Sequence, residues 1–152
     1  MRILLALDGS RGADTAHALM KCLPWPEPTH IDAVRVVEPL FDLFVMPAVE
    51  FAGSMEDLLG AAEVQHALDT DAGDLATAGR TVTTHVVVGR AASVIVDLAE
   101  RLGSDLIVLG SRGRGPIGAM VLGSVSAGVA DHAPCPVLVA RTPTCQRAIV
   151  GL

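Results

Sequence analysis

The stretch Gly110-Ser-Arg-Gly113-Arg-Gly-Pro-Ile-Gly-Ala-Met-Val-Leu-Gly123-Ser124-Val125-Ser126 gathers glycines, two arginines and three hydroxyl side chains in one place. Glycines at the end of a strand let backbone N–H groups come close to an anion with no Cβ in the way. Gly123-Ser124 opens a helix, whose first N–H groups have no intrahelical partner and whose dipole favours negative charge. Ser124 and Ser126 add hydroxyl donors in the first turn. The two ends of the stretch could thus hold successive phosphates of a polyphosphate. Asp8, after the first apolar run, could accept hydrogen bonds from ribose hydroxyls, as acids at strand ends do in dinucleotide folds. Each feature also has a plainer reading. A glycine-rich stretch can be a flexible connector, and Asp8 can simply help Ser10 to start a helix.

The elements that must position these residues alternate along the chain. Ile3 to Leu7 is a continuous apolar run, the pattern of a strand buried on both faces. Gly9 turns the chain and Ser10 caps a helix with Ala13, Ala16, Met20 and Leu23 at spacings of three and four, stopped by Pro24-Trp25-Pro26. Ile31 to Val37 reads as strand two, and residues 38–53 as a loop or partial lid. Ser54 opens the next helix, which runs through Leu68, Ala72, Leu75 and Ala76 to a C-cap at Gly79, with an acidic solvated face. Val82 to Val88 is strand three. Ile95, Leu98, Ala99 and Leu102 mark a helix ended by Gly103. Leu106 to Leu109 is strand four, Ser124 to His132 a short helix, and Val137 to Ala140 strand five. A helix in every crossover requires parallel neighbours and right-handed connections. The expectation is an α/β fold, a single open doubly wound parallel five-stranded sheet of order 3-2-1-4-5 with helices on both faces. Ligands bind such sheets where the strand order reverses, outside the carboxyl ends of the strands. Those ends carry Asp8 and Gly110, so a nucleotide site is expected there.

Composition excludes several classes. The 152 residues are 51% hydrophobic and carry a formal net charge of −6, which suits one globular domain and not a disordered chain. Eleven basic against 17 acidic residues argue against nucleic acid as a partner. The uncharged run Gly115 to Ala130 is broken by glycines and Pro116 and falls short of the about 20 residues of a spanning helix. The apolar run before Asp8 is too short for a signal-peptide core. Cys22, Cys135 and Cys145 form neither a disulfide framework nor a zinc pattern, and the five histidines are scattered. A cytoplasmic protein without a membrane segment or metal site is expected.

Enzyme chemistry finds little to work with. Lys21 is the single lysine, far from the glycine-rich stretch, and no G-x-x-x-x-G-K-[ST] pattern occurs. A phospho-receiver would need a paired acid after strand one, an aspartate after strand three and a lysine after strand five. The chain has one acid, Val88-Gly89 and Ala140-Arg141 at those places. Cys135, between two prolines and without a neighbouring cysteine, reads as a small buried thiol rather than a redox centre.

The spacing Gly-x2-Gly-x9-Gly-(Ser/Thr), met here by Gly110, Gly113, Gly123 and Ser124, resembles the nucleotide motif of the universal stress protein family, ATP-binding subgroup. Leu-Gly-Ser-Val-Ser, His-Ala-Pro-Cys-Pro-Val-Leu-Val, Asp8-Gly9-Ser10 and Gly89 also look like that family, and the similarity spans residues 1–141, leaving 142–152 as a tail. The resemblance implies an ATP-binding stress-response regulator or nucleotide-dependent interaction protein, with Mg²⁺ accompanying the nucleotide. A non-nucleotide-binding dimer and a weak ATPase are the alternatives. It implies that Asp8 contacts ribose and adenine, that Ala6 and Val36 line the base pocket, and that Gly110, Gly113, Gly123, Ser124, Val125 and Ser126 hold phosphates. Arg112 and Arg114 contact phosphate or face solvent. It implies a homodimer joined through the edges of the last strands, and the uncharged edge from Pro136 to Ala140 suits such pairing. One departure is the lack of charge in Ser126-Ala-Gly-Val-Ala130, which suggests that this helix is covered, by a partner subunit or another part of the assembly. Gly128 there costs a helix about 1 kcal/mol relative to Ala.

Overall fold

The structure, a computed structural model, describes residues 1–38, 55–111 and 122–141, the first five of the second stretch by their backbone only. The element order is β1 (Arg2–Ala6), α1 (Arg11–Cys22), β2 (Thr29–Val37), α2 (Met55–Gly73), β3 (Arg80–Val88), α3 (Ala91–Leu102), β4 (Leu106–Gly110), α4 (Ser124–His132) and β5 (Val137–Ala140). The strands form one sheet in the order β3-β2-β1-β4-β5, every pair parallel, as the alternation of elements requires. β1 is central, and Ile3, Leu4 and Leu5 are wholly buried because both of its faces are covered. Truncating any of them to Ala would cost about 2–5 kcal/mol.

Side chains alternate across the sheet, so each face builds its own core. Ile3, Leu5, Ile31, Ala33 and Val108 pack with Ala13, Ala16 and Met20 of α1 and Leu68 and Ala72 of α2. Leu4, Val34, Ile107 and Leu109 pack with Ile95, Leu98 and Ala99 of α3 and Val129 of α4. Ser10 caps α1, its hydroxyl accepting from Ala13 N at 3.2 Å. Gly103 ends α3 at φ +63°, a left-handed turn that glycine adopts without strain. Among the described residues no helix is long and apolar enough to cross a membrane.

One expectation needs correction. α2 ends at Gly73 rather than running to Gly79. Leu75 N and Ala76 N bond back only three residues, to Ala72 O and Gly73 O, so the last turn tightens and stops. Leu75 is still buried, which is why its spacing imitates helix. Gly79 stands instead in the turn before β3, its carbonyl accepting from Thr29 N at 3.1 Å. α4 lies on α3, where a Cβ on Gly128 would stand 3.1 Å from the Ala92 methyl, while Ala130, Asp131 and His132 are exposed in the single chain. The glycine allows that close approach. Residues 39–54, 112–121 and 142–152, with the expected lid, most of the glycine-rich stretch and the tail, lie outside the described residues.

Candidate functional site

The site is built where β1 and β4 lie side by side. Ile3↔Leu106, Leu4↔Ile107 and Leu5↔Val108 are in register, and carrying this forward brings Asp8 alongside Ser111 at the carboxyl end of the sheet. Gly9, at φ +74°, turns the chain sharply out of β1. Asp8 Oδ1 accepts from Ser10 N at 3.0 Å. The helix-starting role weighed for Asp8 is therefore real, and it engages one carboxylate oxygen. None of the described residues bonds the other. Before it, the Leu7 carbonyl accepts from Arg35 Nε at 3.0 Å, and Arg35 NH2 donates to Asp71 Oδ2 on α2 at 2.7 Å.

Opposite Asp8, the ends of the glycine-rich stretch are fastened together. Ser111 N donates to Ala140 O at 2.7 Å, and the Ser111 carbonyl accepts from Gly123 N at 2.7 Å and from Ser126 Oγ at 3.0 Å. Ser126 Oγ also lies 3.0 Å from Gly123 O. Ser126 is 2% exposed, so its hydroxyl proton is directed at these carbonyls and its part is to close the base of the loop. Gly123, extended at φ −73° and ψ 164°, precedes the first turn of α4 and has no side chain to cap it with, and no acid stands in that turn. Ser124 is exposed, and the amides of this first turn have no partner within the helix. Gly110 adjoins Gly12 so closely that a Cβ would strike the Gly12 backbone. Its lack of a side chain has a packing cause as well as the expected ligand-facing one. Ala6, Val36 and Val125 are partly buried on the α3 and α4 face of the sheet, packed against one apolar cluster. Arg112 and Gly113 lie outside the described residues, as does Arg114.

Sequence reasoning passed over Arg35, Ser111, Gly12 and Glu38. Glu38 Oε1 accepts from Ala91 N at 2.8 Å and so caps α3, whose own N-cap, Arg90, offers no side-chain acceptor. The missing Ser, Thr, Asp or Asn before Ala91 was the available signal that a cap had to come from elsewhere. Lys21 donates to Asp74 at 2.8 Å, a contact between α1 and the turn after α2. Burial pushes the Cys135 thiol up, and Asp105 adds to it, which suits a neutral thiol. Among the described residues no cluster of His, Cys, Asp or Glu could hold a metal ion. A cleft of about 250 Å³ between α1 and α2 backs onto Leu7 and Gly9, and one of about 360 Å³ opens beside Arg2 and His30 at the other end of the strands. The described residues of the β1–β4 crevice line neither, apart from Leu7 and Gly9.

Fold and site together define a doubly wound α/β domain with the candidate residues Asp8, Gly110, Gly123 and Ser124 at the reversal of strand order. The chain belongs to the universal stress protein family, whose sequence profile matches residues 1–141. It is 35% identical over 139 residues to a universal stress protein of Thermus aquaticus, named for its position in the 3′ region of QAH/OAS sulfhydrylase, covering 91% of this chain and 97% of that one. Among solved structures it is similar to hypothetical protein MJ0577, with 26% identity, 93% and 95% of the two chains covered, and a TM-score of 0.78. A universal stress protein solved in complex with cAMP shares the fold at 18% identity, with 92% and 96% covered and a TM-score of 0.64.

Proposed function

We propose that this protein binds an adenine nucleotide, ATP, in the β1–β4 crevice and serves in the cytoplasm as a nucleotide-dependent interaction protein of the stress response. The observation that carries the reading is the closure of Ser111 on Gly123 at 2.7 Å. It sets the first-turn amides of α4 and the exposed Ser124 beside the end of β4, one strand from the Asp8 oxygen that no described residue engages. Anions favour such a helix start, and a carboxylate oxygen can accept from ribose hydroxyls. Asp8 takes the sugar, Ala6, Val36 and Val125 offer an apolar wall to the base, and Gly110, Gly123, Ser124 and the α4 amides face the phosphates. Arg112 and Gly113 complete the phosphate side. The cAMP complex of a fold neighbour supports an adenine nucleotide as the ligand class.

Mg²⁺ would arrive with the triphosphate and screen its charge; among the described residues Asp8 is the acid at the end of β1 in the crevice. The reading is of a binder rather than a catalyst, since Lys21 is engaged with Asp74 away from the crevice. The outer edge of β5 meets no further strand among the described residues and carries no charged side chain, which supports homodimer pairing there. The test is mass spectrometry of the purified protein together with titration calorimetry with MgATP. An adenine nucleotide that co-purifies, or binds with one site per chain, is expected. A protein that emerges empty and gives no heat with millimolar MgATP would overturn the reading.

A further inference from the structure

We infer that Arg35 is the positioning residue of the sugar site and ties that site to α2. The inference rests on the nucleotide reading above and adds the side chain that holds Asp8 in place. Pairing of β1 with β2 ends at Ala6↔Val34, and one more main-chain bond, Leu7 N to Val34 O at 2.9 Å, extends it. The next acceptor, the Leu7 carbonyl, is taken by a side chain, Arg35 Nε at 3.0 Å. That carbonyl belongs to the planar peptide unit joining Leu7 to Asp8, so the guanidinium fixes the plane from which the Asp8 side chain departs.

Arg35 is itself held. Its side chain is 12% exposed, and its NH2 donates to Asp71 Oδ2 at 2.7 Å. The donors of a guanidinium form a rigid fork, so a carboxylate bound at one end decides where the other points. An arginine that served only to pin α2 to the sheet would need Asp71 and nothing more. The second bond, to Leu7 O, is the one that reaches the site. Asp8 is thereby set from two directions, its leading peptide by Arg35 and its Oδ1 by Ser10 N. Its remaining oxygen is left aimed by the surrounding structure. The next residue of β2, Val36, packs on the opposite face of the sheet with the apolar wall, so consecutive residues of one strand serve the sugar and the base.

The experiment compares MgATP with Mg-2′,3′-dideoxy-ATP, which lacks the hydroxyls that Asp8 would bind, by calorimetry on wild type, Arg35→Met, Arg35→Lys and Asp71→Ala. Thermal unfolding of each variant is followed in parallel. Wild type is expected to prefer ATP. Arg35→Met should bind ATP about tenfold more weakly and dideoxy-ATP as wild type does, since the loss is that of a hydrogen bond to a charged group. Arg35→Lys, whose ammonium can donate but lacks the fork that spans both acceptors, should recover part of the loss, and Asp71→Ala should show a smaller loss on ATP alone. An equal loss on both nucleotides, or none on either, overturns the inference. Should Arg35→Met fail to fold, Asp71→Ala tests the same point by the same comparison. Wild type that binds both nucleotides equally removes the sugar contact and this inference with it. Wild type that binds neither overturns the functional reading from which it starts.

Discussion

Gly12 and Gly110 meet backbone to backbone: a Cβ placed on Gly110 would lie 2.7 Å from Gly12 Cα and closer still to the Gly12 carbonyl group. The start of α1 is thus pressed onto the end of β4, and the two sides of the crevice share one contact. Gly110→Ala should destabilise the fold by about 1–3 kcal/mol, because backbone must move to make room. Gly79→Ala is the comparison. There the three atoms nearest the Cβ all belong to the Glu27 side chain, which can swing aside, and stability should stay within about 0.5 kcal/mol of wild type. Urea unfolding of the two variants checks the contrast, and equal midpoints would refute the backbone clash.

Ser126 separates a structural from a ligand-contacting hydroxyl. Its Oγ donates into the Ser111 and Gly123 carbonyls from a buried position. Ser126→Ala should cost about 1–2 kcal/mol of stability. ATP affinity should fall through the loosened loop base, so the loss does not depend on how many phosphates the nucleotide carries: AMP and ATP should weaken alike. A variant as stable as wild type that discriminates against ATP alone would make Ser126 a direct phosphate contact.

Much of this could be read before any coordinates. Strand order followed from helical spacing between apolar runs, since a crossover helix leaves few topologies open. Asp8, Gly123 and Ser124 were visible because turn and cap chemistry leaves marks on residue types. The pair Arg35 and Leu7 left none, because its acceptor is a main-chain carbonyl, which any residue supplies. Gly12 was equally silent: a glycine needed for close approach looks like any glycine in a helix start. The end of α2 was misplaced because burial of Leu75 mimics helical spacing after the hydrogen-bond ladder has stopped.

Asp32 should set part of the acid limit of the fold. It is wholly buried on β2, and burial alone would raise its pKa. Hydrogen bonds from Arg2 at 2.7 Å and His85 at 2.8 Å, with the charges of Arg2 and His30, outweigh burial and hold the carboxyl below its ordinary value. A folded pKa below the unfolded one, about 3.9, gives a contribution that is complete above that value and is lost as pH falls through the folded pKa. Wild type should therefore lose stability steeply below about pH 4. Asp32→Asn should be less stable at pH 7 and flatter across the acid range. Denaturant midpoints against pH measure both, and parallel curves for the two proteins would contradict this account.

Ser124→Glu should move stability and binding in opposite directions. α4 begins at an extended Gly123, which has no side chain to cap it, with no acid in its first turn, and Ser124 is exposed there. A carboxylate at a helix start interacts favourably with the dipole, by about 0.3–1 kcal/mol. The melting temperature should hold or rise. The same charge would occupy the ground claimed for the phosphates, so ATP should bind at least about tenfold more weakly, an effect that salt would soften. Adenosine, which has no phosphate, should bind as it does to wild type, and Ser124→Ala should lose less on ATP than Ser124→Glu. Calorimetry with both ligands decides the matter. If adenosine and ATP weaken together, the added carboxylate has disturbed the pocket as a whole, and the first turn of α4 is not where the triphosphate lies.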